Sequence, residues 1–291
     1  MKNSKSKHFP ARGLISALLS FLMSFFIGVF GLTVVVQCTA MSQGYLKKQI
    51  EKSGYITYTL EDIKDSFVSY GLASGFEEDF CASLVTEERV RADLFREVLA
   101  LFGADNAGYD EKAFEEELYQ KLVQNALDRN IAVDEENEKA VRMLAEEYID
   151  VYTGHIEFPV ADQISDLLRD MKTPLLLVGG ISLFLILFTA AFLFFLYRRK
   201  YKFVAYCTYA LSGAALLLGL PSLVVLLSGR IARLGVTNQA LYFLLQDFLS
   251  GAFSGMLITA VILLVLSIVL FFLYYFLRKR FISSLQGEYH K

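Results

Sequence analysis

The sequence predicts an all-α membrane protein with four transmembrane helices and a helical extracytoplasmic domain inserted between the first and the second. The 291-residue chain is 55% hydrophobic and only 20% charged, which is not typical of a soluble domain. Its apolar residues fall into four stretches, each longer than the roughly 20 residues that cross a bilayer as a helix. Most acidic residues lie between the first two stretches, in a segment whose apolar residues recur with helical spacing.

The first predicted elements are a cytoplasmic tail, residues 1–13, and transmembrane helix one, residues 14–40. The apolar run at 14–36 exceeds the roughly 7 to 15 apolar residues of a secretory signal peptide, so we expect an uncleaved signal anchor. The alternative is a cleaved signal peptide, because the small residues at 38–40 would suit a cleavage site.

An acidic all-α extracytoplasmic domain is predicted at residues 41–172, which carry 14 Lys or Arg against 29 Asp or Glu. Apolar residues recur every three or four positions at 87–102, 111–129 and 135–152, and again after Pro159, so each stretch predicts a helix with one buried face. Side chains that cap helix N-termini predict further helix starts at Thr59, Ser74, Thr86, Asp110 and Asp134. We therefore expect about five or six helices with a modest core of their own.

A three-helix transmembrane region is predicted at residues 173–278. Its apolar runs lie at 174–197, 203–227 and 252–277. Pro174 suits the first turn of the first of these helices, so we expect the preceding helix to end there at a bend. The outer link at 229–250 is amphipathic: it lies in the membrane interface, extends the last span, or forms the surface on which the acidic domain sits. Residues 279–291 form a second cytoplasmic tail.

The distribution of charge predicts which segments lie on each side of the membrane. The two tails and the short link before the third span carry 12 Lys or Arg against a single Glu. Basic residues are retained on the cytoplasmic side, so this excess predicts cytoplasmic N- and C-termini. The acidic domain and the outer link then lie outside a plasma membrane that the multi-pass chain crosses.

No pattern in the sequence indicates an enzyme or an ion carrier. The four apolar runs contain no charged residue, which disfavours proton-coupled transport and intramembrane proteolysis. The sequence has no phosphate-binding loop, dinucleotide fingerprint or nucleophile elbow, and its three histidines lie far apart. We therefore predict no cofactor, no metal site and no nucleic-acid partner. Cys38 and Cys81 share a predicted compartment, and the sequence leaves open whether they form a disulfide.

Small and basic residues are the candidate functional positions. A helix-packing seam is predicted where small residues let helices approach closely: Ser16, Ser20, Ser24 and Gly28 on the first span, and Gly251 and Gly255 on the fourth. Pro221 in the third span is a candidate hinge, although membrane helices also carry proline for packing alone. The candidate cytoplasmic coupling residues are Arg198, Arg199, Lys200 and Lys202. Tyrosines near the same ends of the spans, Tyr197 and Tyr206 among them, are typical of an aromatic belt.

The chain resembles two groups of membrane proteins. One large outer domain after the first span, followed by three closely spaced spans, is similar to the layout of permease-like subunits of the FtsX and MacB class. Those subunits couple a cytoplasmic ATPase to an outer domain and normally carry a longer link between spans two and three. More closely, EKSGY from Glu51, GLASG from Gly71 and LVTEERVRAD from Leu84 look like uncharacterised four-span membrane proteins of Gram-positive bacteria. That resemblance implies a bacterial plasma membrane and no particular activity.

We therefore expect a non-enzymatic integral plasma-membrane protein whose extracytoplasmic domain is an interaction, sensor or scaffold module anchored by a four-helix bundle. Its expected partners are the lipid bilayer and a membrane or cell-envelope protein, and the sequence also permits a homo-oligomer. The alternative function is a permease-like subunit of an ABC-type transporter or mechanotransmission complex. That function would need an ATPase at the basic link and motion at Pro221.

Overall fold

The computed structural model describes residues 11–104, 108–130, 135–158, 161–197 and 200–289. All regular elements in these ranges are helices and no strand occurs in them, so the predicted all-α class is confirmed. Four helices within the same ranges are long and apolar enough to cross a membrane, as the four apolar runs predict.

The chain divides into two compact units. One, which we call the apolar bundle, consists of Met1–Met41, Lys172–Arg233 and Leu249–Lys291; the other, which we call the helical unit, consists of Ser42–Met171 and Leu234–Phe248. The helices are α1 (Ala11–Cys38), α2 (Gln43–Lys52), α3 (Tyr55–Ala73), α4 (Glu78–Ser83), α5 (Glu87–Leu101), α6 (Glu111–Asp128), α7 (Glu135–Ile156), α8 (Ala161–Leu196), α9 (Lys200–Leu227) and α10 (Gln239–Tyr289).

In the apolar bundle, α1 and α9 run in the same direction. Ser20 of α1 bonds to Tyr206 of α9, and further along both helices Gly28 lies against Leu217. The bundle segments of α8 and α10 run in the opposite direction. Exposed Leu, Ile, Val and Phe side chains cover the outer face of the bundle, and a bilayer is the environment that suits such a surface.

The helical unit has an aliphatic and aromatic core of its own. Its fully buried side chains include Phe67, Leu94, Phe114, Leu118, Tyr148 and Tyr152. The rings of Phe67 and Tyr148 stack with their centroids 4.1 Å apart, which joins α3 to α7. Gly71 permits this approach, because a Cβ atom there would collide with Cys81 and Tyr148. The helices predicted at 87–102, 111–129 and 135–152 correspond to α5, α6 and α7, with ends within about one turn.

Two of the predicted helix starts are confirmed by their capping bonds. The Thr86 hydroxyl accepts a hydrogen bond from the backbone N–H of Arg89 at the start of α5. The Asp110 carboxylate accepts one from the N–H of Ala113, at 3.0 Å, at the start of α6. A further predicted cap, Asp134, lies outside the described residues.

The helix starts predicted at Thr59 and Ser74 are wrong. Thr59 is buried inside α3, which already begins at Tyr55. The preceding residue, Gly54, has a φ of +73°, a left-handed conformation that glycine adopts without a steric cost, so the turn into α3 occurs there. Ser74 is the residue after α3, and the next helix starts only at Glu78.

The prediction that Pro174 lies in the first turn of a new helix is also wrong, because α8 continues through this residue. Proline lacks one backbone N–H, so only the bond to the carbonyl of Asp170 is lost while the ladder continues on either side. In the outer link, a short 3-10 turn at Ile231–Arg233 is followed by α10 from Gln239. Asn238 accepts a bond from the third helical N–H at 2.8 Å, and α10 therefore extends the last apolar run toward its N-terminus.

Candidate functional site

The predicted seam residues of α1 face neighbouring helices of the apolar bundle. Ser16, Ser20 and Ser24 are all buried. The Ser20 hydroxyl donates a 2.9 Å hydrogen bond to the backbone carbonyl of Tyr206 in α9. At Gly28, a Cβ atom would lie 2.7 Å from Leu217, so a larger residue here would require α9 to shift or Leu217 to rearrange. Small side chains thus permit the close packing of α1 and α9.

The predicted seam residues of the fourth span lie elsewhere in the bundle. Gly251 and Gly255 are half-buried in α10. A Cβ atom at Gly255 would meet Val35 of α1 at 3.7 Å, which is ordinary van der Waals contact. Gly255 therefore meets α1 at a different place from the three serines.

A tyrosine and serine network joins three helices of the apolar bundle. The Tyr197 hydroxyl donates to Ser16 Oγ at 2.7 Å and lies 3.1 Å from the Tyr206 hydroxyl. The two tyrosine rings stack with centroids 5.3 Å apart. The aromatic-belt pattern in the sequence indicates where these tyrosines lie along the spans, but not that they turn inward. Ser16 and Ser20 lie one turn apart near the same end of α1, and this spacing is the signal that could have suggested partners for the tyrosines.

Beside this network, α1 and α9 border a groove of about 320 Å³. α1 contributes Ala17, Phe21 and Ser24 to its lining, and α9 contributes Tyr206, Tyr209 and Gly213. Phe21 and Tyr209 are exposed and form the outer walls of the groove.

The candidate coupling and hinge residues are only partly described. Arg198 and Arg199 lie outside the described residues. Lys200 is the first residue of α9, and Lys202 is exposed with its ammonium 5.7 Å from the centre of the Tyr197 ring. Pro221 lies inside the unbroken α9. The neighbouring Ser222 hydroxyl donates to the carbonyl of Leu218 at 2.6 Å, one residue after the Leu217 carbonyl that lacks a helical N–H because of Pro221.

In the helical unit, the most deeply buried charge is Asp93 of α5, which is only 2% exposed. Its carboxylate accepts a 2.8 Å hydrogen bond from the Tyr152 hydroxyl and a 3.0 Å hydrogen bond from Arg96. The Arg89 guanidinium lies 3.5 Å away on the same carboxylate and stacks over the Phe114 ring. Burial, and next the negative charge of Asp93, raise the pKa of Tyr152. All of these partners hold Asp93 as a structural anion.

Next to this cluster lies an acidic cavity of about 490 Å³ with Glu97, Glu157 and Asp162 in its lining. Burial raises the pKa of Glu97; the negative charges of Glu157 and Asp93 raise it further, while the N–H of Tyr109 opposes the shift. The Tyr109 hydroxyl bonds to Thr153, and burial raises its pKa to about 12. Among the described residues, no three His, Cys, Asp or Glu side chains are arranged to hold a metal ion.

The segment Leu234–Phe248 packs against α2 and α3. Tyr45 donates a 2.7 Å hydrogen bond to the carbonyl of Phe248, and the two rings meet edge to face. The rings of Tyr58 and Phe243 stack with centroids 5.4 Å apart. Leu244 from the same segment is buried in the core of the helical unit. The helical unit therefore consists of two chain segments that are far apart in sequence.

All three cysteines are free in the structure. Cys38 is exposed, whereas Cys81 is buried with its sulfur 3.6 Å from the Tyr148 hydroxyl. The Cys38–Cys81 disulfide that the sequence leaves open is thus not formed. Tyr148 donates to the carbonyl of Phe67 at 2.9 Å, and burial raises its pKa.

No protein-family model matches the chain, and no curated protein or solved structure matches it. Functional inference therefore depends on the contacts within the two units.

Proposed function

We propose that the protein is a non-enzymatic integral protein of a bacterial plasma membrane, in which the four-helix bundle anchors an extracytoplasmic interaction, sensor or scaffold module formed by the helical unit. The observation that carries this proposal is the construction of the helical unit from two segments. The chain passes between the units after Met41, Met171, Arg233 and Phe248. A domain that only needed an anchor would not require the link between the last two spans to complete its core.

The contacts of the second segment support a relay between a bound partner and the membrane helices. Tyr58 and Tyr45 hold aromatic residues of the first turns of α10, and Lys52 lies 3.6 Å from Asp247. α10 continues as one helix to Tyr289. A partner that moved α2 or α3 would therefore act on the beginning of a long continuous helix, and helices transmit displacement because their backbone is fully bonded.

The charge of the helical unit favours a basic partner surface. Residues 41–172 carry about twice as many acidic as basic side chains, and complementary charge speeds encounter and limits the choice of partners. The buried ionisable residue Asp93 already has three side-chain partners. It is therefore better suited to stabilising the unit than to catalysis.

The first test is the membrane orientation of the full chain. Cys38 is replaced by Ser, the buried Cys81 and Cys207 are kept, and one cysteine is introduced at the exposed position Lys112 or Lys202. Intact cells are then treated with a membrane-impermeant maleimide. We expect labelling of Lys112→Cys in intact cells and of Lys202→Cys only after permeabilisation. The reverse pattern would contradict an extracytoplasmic helical unit.

The second test identifies the partner by in-cell lysine crosslinking, mild-detergent purification and mass spectrometry. We expect crosslinks from Lys112 or Lys121 to a cell-envelope or membrane protein. Lys112→Arg and Lys121→Arg keep the charge but remove the reactive amine, so these crosslinks should disappear in the double variant. Crosslinks from Lys200 or Lys202 to an ATP-binding subunit would instead favour the permease-like alternative.

A further inference from the structure

The groove between α1 and α9 lies close to a basic residue of α9. Lys202, Tyr206, Tyr209 and Gly213 follow one another at steps of four, three and four residues, so they lie on one face of α9. The Lys202 ammonium lies 5.7 Å from the Tyr197 ring, and that ring stacks on Tyr206, which lines the groove. The lining of the groove on α9 begins at Tyr206, and the exposed Lys202 side chain lies one helical turn before it, toward the start of α9.

The walls of the groove carry one phenol without a bond. Within the described residues, the Tyr209 hydroxyl has no hydrogen-bond partner, and the residue is 65% exposed. Side chains of a helix lean toward its N-terminus, so this hydroxyl is directed toward the end with Lys202. Across the groove, Ala17 and Phe21 offer only apolar surface. Because Ser20 bonds to Tyr206 and Ser24 lies against Gly213, Ala17 and Phe21 stand beside the two tyrosines, and the Lys202 side chain lies beyond this end of the groove.

We propose that this groove binds one anionic phospholipid of the leaflet next to the start of α9. The phosphate pairs with Lys202, a glycerol ester carbonyl accepts a hydrogen bond from Tyr209, and an acyl chain lies against Ala17 and Phe21. The proposal depends on the apolar bundle spanning a membrane, but not on what the helical unit binds. The excess of Lys and Arg in the chain segments at this end of the bundle favours an anionic over a neutral headgroup.

The dimensions of the groove favour a lipid chain over another helix. Its volume, about 320 Å³, is at the small end of the roughly 300 to 1,000 Å³ of ligand pockets. A helix with its side chains is roughly 10 Å across and would not enter it. The alternative is contact with a helix of a second copy through Ser24, which is buried at the deep end of the groove and has no hydrogen-bond partner among the described residues.

The test measures lipid retention by the full chain in native mass spectrometry, with phosphatidylglycerol or phosphatidylcholine of identical acyl chains. We expect the wild type to retain phosphatidylglycerol preferentially. Lys202→Gln and Tyr209→Phe should each weaken retention by about fivefold, the effect of losing one phosphate contact or one hydrogen bond. Ala17→Leu should remove retention, because it fills the groove from its exposed rim.

Matched controls distinguish this site from general effects of charge or tyrosine. Lys200→Gln removes the same charge two residues away on another face of α9, and Tyr275→Phe removes an exposed phenol of α10. Neither should change retention. Equal retention of the two lipids by the wild type, or equal losses in the controls, would overturn the proposal. Two dimerisation results together would also overturn it: disulfide-linked dimers of the Tyr209→Cys variant, and loss of the dimer in the Ser24→Ala variant. They would show that a second copy of the chain occupies the groove.

Discussion

At the scale of single residues, Glu97 in the acidic cavity makes the stability of the helical unit depend on pH. Burial raises the pKa of this carboxyl in the folded chain above its ordinary value of 4.5. Between the two values the folded state binds more protons than the unfolded state, so stability falls as the pH rises through this window. Above the raised pKa the penalty remains constant. Glu97 therefore destabilises the helical unit at neutral pH.

Glu97→Gln should raise the thermal unfolding midpoint at pH 7, because glutamine keeps an oxygen for the Tyr109 N–H without a charge. The gain should shrink as the pH falls and vanish below the ordinary glutamate pKa. Circular dichroism of the detergent-solubilised chain at several pH values measures both effects. The control Glu88→Gln removes the same charge from an exposed position of α5. A pH-independent gain, or an equal gain in the control, would contradict the assignment to burial.

Asp93 shows what sequence can and cannot indicate about such residues. The helix at 87–102 is predicted from Val90, Leu94, Val98 and Leu101, all of which are buried. Asp93 falls within the same face, and an acidic residue at a core position is a sign of a buried partner. Its partner Tyr152 comes from α7, 59 residues later. Because that pairing depends on how two helices pack, helical periodicity could indicate the buried carboxylate but not its partner.

At the scale of elements, α1 and α9 are held by close packing of small residues, and Gly28 is one of the tight positions. Gly28→Leu should destabilise the apolar bundle by about 1 to 3 kcal/mol, because overpacking forces neighbours to move. Thermal unfolding followed by circular dichroism measures the change. Gly180→Leu is the control, since nothing lies within 4 Å of a Cβ atom at Gly180. Equal destabilisation by both substitutions would show that leucine acts through α-helix conformation and not through packing.

The limits of helices were predictable where a local interaction determines them. Thr86 and Asp110 cap their helices through bonds to residues only three positions away, and the spacing of the sequence shows these directly. Thr59 has the same local pattern but is buried in the core, so tertiary packing outweighs its capping preference. Pro174 likewise costs α8 one bond, too little to end a helix that apolar residues extend on both sides.

At the scale of the whole molecule, hydropathy predicts four candidate spans because each depends only on residues close in sequence. The composition of the helical unit could not be predicted in this way. Tyr45 and Phe248 are 203 residues apart and meet through a single hydrogen bond and a ring contact. The amphipathic pattern of the outer link predicts an apolar surface but not the element that packs against it. In the structure, α2 and α3 pack against this surface.

This construction predicts that α10 depends on α3 for the order of its first turns. Phe243→Ala removes the ring stacked on Tyr58 and should lower the local opening free energy of residues 239–248 by about 1 to 3 kcal/mol. Hydrogen exchange with mass spectrometry should show faster exchange in these residues, while α6 keeps its protection. The control Met143→Ala shortens a side chain that is 62% exposed on α7 and should change neither. Unchanged exchange at 239–248 in Phe243→Ala would contradict a relay through α10, because a segment that does not need its contact with α3 cannot report movement of α3.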